Sequence, residues 1–363
     1  MGALAPAASR HALHPLRVAD VERLTDDAVA ITFDVPGELR EAFAFAPGQH
    51  VAVVRAAGGD EVRRSYSICS PAGGPLRVAV KRLPRGRFSA YAHDGLQPGD
   101  VLDVLPPGGR FATTLEPTRS RNVVAVAAGS GITPVISILQ SVLQAEPGSR
   151  CTLIYGNRTV RSIMFLEELE DLKDRFTERF SLFHVLSREP QESALAEGRI
   201  DAGKLERFLD ALIPPATVDE WFLCGPFGMV QEVRSTLRAR DVPARAIHRE
   251  LFHADDTPPP PPAPADGAPV EGAAVTIVLD GRRTTLTVPR GGRVLDAALA
   301  VRPDAPYACK GGVCGTCRCR IVEGEVRMDH RYALEDDEVD AGVRLACQSH
   351  PVSDRIVLDF DAV

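Results

Sequence analysis

The sequence predicts a multidomain α/β plus β protein: an antiparallel β-barrel, a parallel α/β domain and a small C-terminal β domain. Three observations carry this expectation. At roughly 150 residues per domain, 363 residues call for two or three domains. The texture changes near residue 120, from short alternating segments to apolar runs separated by amphipathic stretches. A proline-rich break, DDTPPPPPAPADGAPVEGA at 255–273, then isolates a small C-terminal portion. The expected division is a tail at 1–14, a barrel at 15–118, an α/β domain at 119–252, a linker at 253–273 and a last domain at 274–363.

Composition bounds the function. With 44% hydrophobic and 25% charged residues the chain has enough apolar side chain to build real cores. A net charge of -7 leaves no basic excess for a polyphosphate backbone, so no nucleic-acid partner is expected. Nowhere do about 18 uncharged apolar residues run together, and Pro6, Arg10, His11 and His14 interrupt the Ala-rich start. No membrane association is expected, and a cytoplasmic location is the default.

Within the barrel, Ala28 to Phe33, His50 to Val54, Leu76 to Lys81 and Val101 to Leu105 alternate and are bounded by Pro, Gly and Asp turns. Next, the strand-length runs Val123 to Ala128, Cys151 to Tyr155, Phe180 to Leu186 and Glu220 to Cys224 precede helical stretches at 134–144, 165–175, 203–213 and 229–240. Such alternation predicts βαβ units on a parallel sheet. Its first turn, Gly129-Ser130-Gly131-Ile132-Thr133-Pro134, lies between strand and helix, where backbone amides and the positive helix end meet a pyrophosphate. Pro134 in the early helix departs from GxGxxG, and two glycines in a plain βα turn are the alternative. A second turn, Cys224-Gly225-Pro226, closes a later strand, and paired turns at carboxyl strand ends are where open α/β sheets bind ligands.

The linker's unbroken run Pro258 to Pro262 favours extended polyproline II, and Pro258 to Pro264 would span about 20 Å. A proline-rich ligand for an adaptor domain is the alternative. Beyond it, Val275 to Leu279 and Thr284 to Val288 predict a hairpin around Asp280-Gly281, and Val294 to Val301 a short helix. Cys309, Cys314 and Cys317 then follow as C-x4-C-x2-C, with Cys347 alone further on. This is the plant-type [2Fe-2S] spacing, in which a glycine-rich loop supplies three thiolates and a distant strand end the fourth. Gly311, Gly312 and Gly315 let that loop wrap tightly and aim amides at sulfur. A structural zinc site is the rival, though it wants paired CxxC or Cys/His spacings. Cys319 is surplus to four ligands and reads as a small buried hydrophobe.

Taken in order, GSGITP, Tyr155 to Arg158 (YGNR) and CGP resemble the pyridine-nucleotide domain of the ferredoxin–NADP reductase superfamily. The cysteine loop and its flanks resemble plant-type ferredoxins, a β-grasp fold. In the barrel, Arg64-Ser65-Tyr66-Ser67 resembles the RxYS motif of the same superfamily, with Gly48-Gln49-His50 before it and Gly86-Arg87-Phe88-Ser89 after it. The likeness implies a flavin-binding barrel and a Rossmann-like NAD(P) domain. It implies that Tyr66 packs on the isoalloxazine, Ser67 bonds near its N5, Arg64 pairs with the pyrophosphate and Ser89 caps a phosphate-binding helix. It likewise implies that Cys224 sits near the nicotinamide, and that Glu250 and Phe252, in a terminal E-x-F, approach the flavin. Ser187 and Arg188 resemble the SRE segment that grips the 2′-phosphate of NADPH, and Arg158 assists or caps its own loop. GRFS departs from the GGxxS form, so FAD is expected with FMN as the alternative; the donor is NADPH, or NADH.

Tyr66, Ser67, Cys224 and Glu250 are thus the expected catalytic set, and the four cysteines the metal set. Nicotinamide yields two electrons together and the cluster accepts one, so a flavin between them is chemically required. Domain order and motifs resemble the reductase family of phenylacetyl-CoA ring 1,2-epoxidase complexes, which implies a separate multi-subunit di-iron oxygenase as acceptor. The alternatives are a reductase for another ring-hydroxylating or alkane oxygenase, and a non-catalytic redox sensor, against which the intact nucleotide motifs speak. Glu335, Asp336, Asp337, Glu338 and Asp340 either dock a basic oxygenase surface or form a solvated turn.

Overall fold

Alternating apolar side chains close the first six strands on themselves. The computed structural model describes residues 12–57, 60–252 and 272–363. It divides the chain into two units, His14–Phe252 and one containing 253–363. In the first, β1 (His14–Thr25), β2 (Ala28–Asp34), β3 (His50–Ala57), β4 (Asp60–Ser67), β5 (Leu76–Lys81), helix α1 (Arg87–Asp94) and β6 (Val101–Val104) form the sheet β4-β3-β6-β1-β2-β5. Pairing of Ile68, just past edge strand β4, with Val78 of the other edge strand β5 turns this sheet into a barrel around Leu16, Ile31, Val51, Val53 and Val78. The sequence pattern misses β1 because His-Pro-Leu-Arg-Val-Ala-Asp-Val-Glu-Arg-Leu-Thr carries charge along most of its length. Register shifts at Val18/Asp20 and Arg23/Thr25 break its inside-outside alternation further.

Parallel strands follow: β7 (Asn122–Ala128), α2 (Ile132–Ala145), β8 (Arg150–Asn157), α3 (Leu166–Arg175), β9 (Phe180–Leu186), α4 (Ala202–Ala211), β10 (Glu220–Cys224), α5 (Phe227–Ala239) and β11 (Ile247–Glu250). Their order β11-β10-β7-β8-β9 puts β7 and β10 side by side, so the turns after them share one end of the sheet. α2 is buried nearly all round because its apolar residues meet both this sheet and the barrel, whose Ala28, Ala30, Cys69 and Ala79 join the same core.

In the C-terminal unit, β12 (Gly272–Leu279) and β13 (Arg282–Pro289) make the expected hairpin, turning at Asp280 and Gly281 with φ of 51° and 68°. Helix α6 (Val294–Val301), β14 (Arg318–Glu323), β15 (Val326–Met328), α7 (Asp336–Asp340), β16 (Val343–Leu345), β17 (Ser349–Pro351) and β18 (Arg355–Asp359) complete the mixed sheet β13-β12-β18-β14-β16 beside the pair β15-β17. The parallel β12–β18 pairing across a helix is the β-grasp arrangement. The acidic segment is a short capped helix: Glu335 and Glu338 form a capping box, Arg318 pairs with Glu338 and Arg331 with Asp336. The proline run and most of the N-terminal tail lie outside the described residues. Among the described residues no helix is long and apolar enough to cross a membrane.

Candidate active site and metal centre

Antiparallel pairing sets His50 of β3 opposite Ser67 of β4, so both side chains leave the barrel on one face. Parallel pairing sets Cys224 of β10 opposite Glu250 of β11. The two pairs converge. Ser67 Oγ donates to Glu250 Oε2 at 2.8 Å, and His50 Nδ1 lies 3.7 Å from Glu250 Oε1. Cys224 is fully buried, and its thiol is pushed well above the usual range by burial first and the Glu250 charge second. It is therefore a neutral S–H at pH 7. Three of the four expected catalytic residues meet at one point, and His50 joins them. Phe252 is partly buried beside the same core.

Tyr66 points to the opposite face of β4, with Phe88 at a ring distance of 5.3 Å, and burial raises its phenol far above the ordinary value. Arg64, two residues earlier on that face, is exposed and donates to the Arg63 carbonyl. Ser65 Oγ is buried without a hydrogen-bond partner, on the strand face that carries Ser67. A buried hydroxyl with no partner costs about 1–3 kcal/mol, which a bound group's polar edge would remove. The barrel residues therefore fit a flavin. Ser89 does something other than capping α1 through a first-turn amide. Its hydroxyl accepts from Leu83 N and donates to Gly86 O, stapling the preceding turn. The N-terminal turn of α1 has no side-chain cap, and Phe88 is buried in the barrel core.

At the sheet end, Gly129 has φ of 54° and open space where a Cβ would stand, while Ser130, Ile132, Thr133 and Pro134 lead into α2. A Cβ at Gly131 would lie 2.1 Å from Cys224 O, so the two turns touch, a closeness no spacing in the chain announces. A Cβ at Gly225 would stand 2.6 Å from Met229 Cε and 3.2 Å from Ala128, and Pro226 occupies the N-cap position of α5. Tyr155 Oη donates to Gly129 O, and the YGNR and SRE segments are zipped together by Ser187 N to Asn157 O and Arg188 N to Arg158 O. Arg158, Ser187 and Arg188 are exposed at one edge.

In the C-terminal unit the four sulfurs come as two facing pairs. Cys309 hydrogen-bonds Cys314, and Cys317 hydrogen-bonds Cys347, through their thiols. Gly311 N approaches Cys309 Sγ at 3.3 Å and Thr316 N approaches Cys314 Sγ at 3.5 Å. Two thiolates per iron, with amides aimed at sulfur, is the donor set a two-iron cluster requires, so the residues fit. Cys319 is buried against Arg344 O, apart from the pairs.

Three family descriptions match the chain: an oxidoreductase FAD-binding domain over residues 15–113, an oxidoreductase NAD-binding domain over 125–235, and a 2Fe-2S iron-sulfur cluster binding domain over 277–352. The chain is similar to one subunit of the 1,2-phenylacetyl-CoA epoxidase of Escherichia coli (strain K12). Identity is 44% over 351 residues, 96% of this chain and 98% of the relative. It is 35% identical to the 3-ketosteroid-9-alpha-monooxygenase ferredoxin reductase component of Mycobacterium tuberculosis, over 95% of both chains. Among solved structures, phthalate dioxygenase reductase shares the fold with a TM-score of 0.57 at 23% identity, covering 96% of this chain and 98% of that one.

Proposed function

Because the chain belongs to the family of oxygenase reductase components that join FAD-binding, NAD-binding and 2Fe-2S domains, we propose that it serves a particular oxygenase. That acceptor is a multi-subunit di-iron enzyme of the cytoplasm that epoxidises phenylacetyl-CoA, and NADPH is the preferred donor. When bound, FAD takes two electrons together from a nicotinamide and releases them singly, and the [2Fe-2S] group carries them one at a time.

The chain's own residues divide the remaining work. Ser67 and Glu250 hold a proton between them at the point where barrel and parallel sheet meet. Cys224 presents an uncharged thiol beside them, and Gly131 and Gly225 let the two turns close in without side chains between. His50, Ser65, Tyr66 and Arg64 would line the flavin, with Gly86, Phe88 and Ser89 shaping the turn before α1. Gly129 to Pro134 would hold the pyrophosphate, and the exposed guanidinium groups of Arg158 and Arg188 offer bidentate partners for a 2′-phosphate. Cys309, Cys314, Cys317 and Cys347 would hold the irons.

The meeting of Ser67, Glu250 and Cys224 from three distant segments carries the reading of a turning-over reductase. The choice of acceptor rests on the higher identity to the epoxidase component than to the steroid reductases across the full chain. Purified chain, NADPH and the oxygenase subunits of a 1,2-phenylacetyl-CoA epoxidase should together consume phenylacetyl-CoA. Efficient coupling to a steroid oxygenase, with none to the epoxidase, would reject this acceptor. Equal turnover with NADH would reject the donor preference.

A further inference from the structure

The residue after the last cysteine is a fully buried glutamine whose two ends are treated differently. Gln348 has no exposed surface. Its Nε2 lies 2.9 Å from Lys310 O, 3.0 Å from Cys347 O and 3.5 Å from Cys347 Sγ, three acceptors around two hydrogens. Its Oε1 is buried with no hydrogen-bond partner. A side chain chosen only to fill space would be apolar here, since an unsatisfied buried oxygen costs about 1–3 kcal/mol. What the amide secures is the cysteine loop. Lys310 sits in the left-handed region with φ of 53°, one residue after Cys309, and Gln348 binds its carbonyl. A Cβ at Gly312, also left-handed at φ of 76°, would stand 3.0 Å from Gln348 Cγ, so the loop is folded directly onto this side chain.

We propose that Gln348 is a positioning residue that raises the reduction potential of the iron–sulfur centre, by donating toward the Cys347 sulfur and by fixing the Cys309–Cys314 loop. The proposal rests on the four cysteines being the cluster ligands. An added electron puts negative charge on the sulfurs, and an N–H aimed at one of them stabilises that charge more than it stabilises the oxidised form. Removing the donor therefore lowers the potential while leaving the ligands in place.

The test compares full-length holoprotein with Gln348→Met and Gln348→Glu. Methionine keeps the length and loses both N–H groups; glutamate also puts a charge beside the sulfur. At the wild-type midpoint, the ratio of reduced to oxidised cluster should fall by about threefold to tenfold in Gln348→Met, and further in Gln348→Glu. EPR should keep full integrated intensity with altered g values, and the flavin potential should stay where it was. Unchanged potential and EPR at full iron content would overturn the proposal. So would loss of iron in both variants, which would make the residue a builder of the site only. A wild-type protein without an iron–sulfur EPR signal on reduction would instead remove the ligand reading beneath it.

Discussion

The hydroxyl of Ser67 and the carboxylate of Glu250 are 183 residues apart in the chain and 2.8 Å apart in space. Each is an ordinary residue at a strand end. Nothing local distinguishes them, and only the RxYS and E-x-F resemblances single them out. The cysteines are the opposite case: their ligand spacing is local, so the loop is legible directly, and only the solitary Cys347 needs the distant strand end. As Ser67 and Glu250 share one hydrogen bond, their contributions should not add. Ser67→Ala and Glu250→Gln should each slow flavin reduction by NADPH by roughly 10- to 100-fold in stopped-flow absorbance, with KM little changed. The double variant should be hardly slower than the worse single one. Fully multiplicative losses would mean that the two groups act independently.

At the scale of elements, most strand and helix positions follow from periodicity: Phe180–Leu186, Glu220–Cys224 and Val294–Val301 lie where the pattern puts them. Helix α4 shows where the pattern fails. Lys204 sits in an amphipathic stretch where a lysine reads as solvated, yet it is 3% exposed. Its three N–H donors are taken by the carbonyls of Ala194, Leu195 and Glu197, at 2.5–3.3 Å. These carbonyls belong to the return limb of the loop that begins with Ser187 and Arg188, and Gly198 N to Leu186 O closes that loop on β9. No residue pattern reports an ammonium caged by main chain, because its partners lie in irregular structure. Lys204→Met should leave three carbonyls without a donor and loosen the loop. Amide exchange over 187–198 should quicken, and kcat/KM for NADPH should fall about tenfold while that for NADH changes less. An unaltered exchange pattern would show that the loop holds itself.

Over the whole molecule, the buried core of the C-terminal unit is drawn from residues 273–360, including Cys317 and Cys347, while the first unit has one core inside the barrel and another shared by barrel and parallel sheet. The composition break in the sequence falls at the boundary between the two units, and proline, lacking a backbone N–H, is disfavoured in a sheet ladder. The joint core of barrel and α/β part was not legible, because it depends on which face of the barrel meets α2. Separate cores make the two half-reactions separable. Cys314 is the proposed ligand to change, being partly exposed where Cys317 and Cys347 are buried in the core. Cys314→Ser should therefore cost the cluster without unfolding the unit around it. The visible iron–sulfur absorbance should vanish and NADPH-driven cytochrome c reduction should drop to a few per cent of wild type, as roughly expected when the one-electron carrier is lost. NADPH-driven ferricyanide reduction through the flavin should persist near its wild-type rate. If cytochrome c reduction survives beside lost iron absorbance, electrons leave from the flavin itself and the C-terminal unit is not their route. If ferricyanide reduction fails as well, the two units do not function as separate electron carriers.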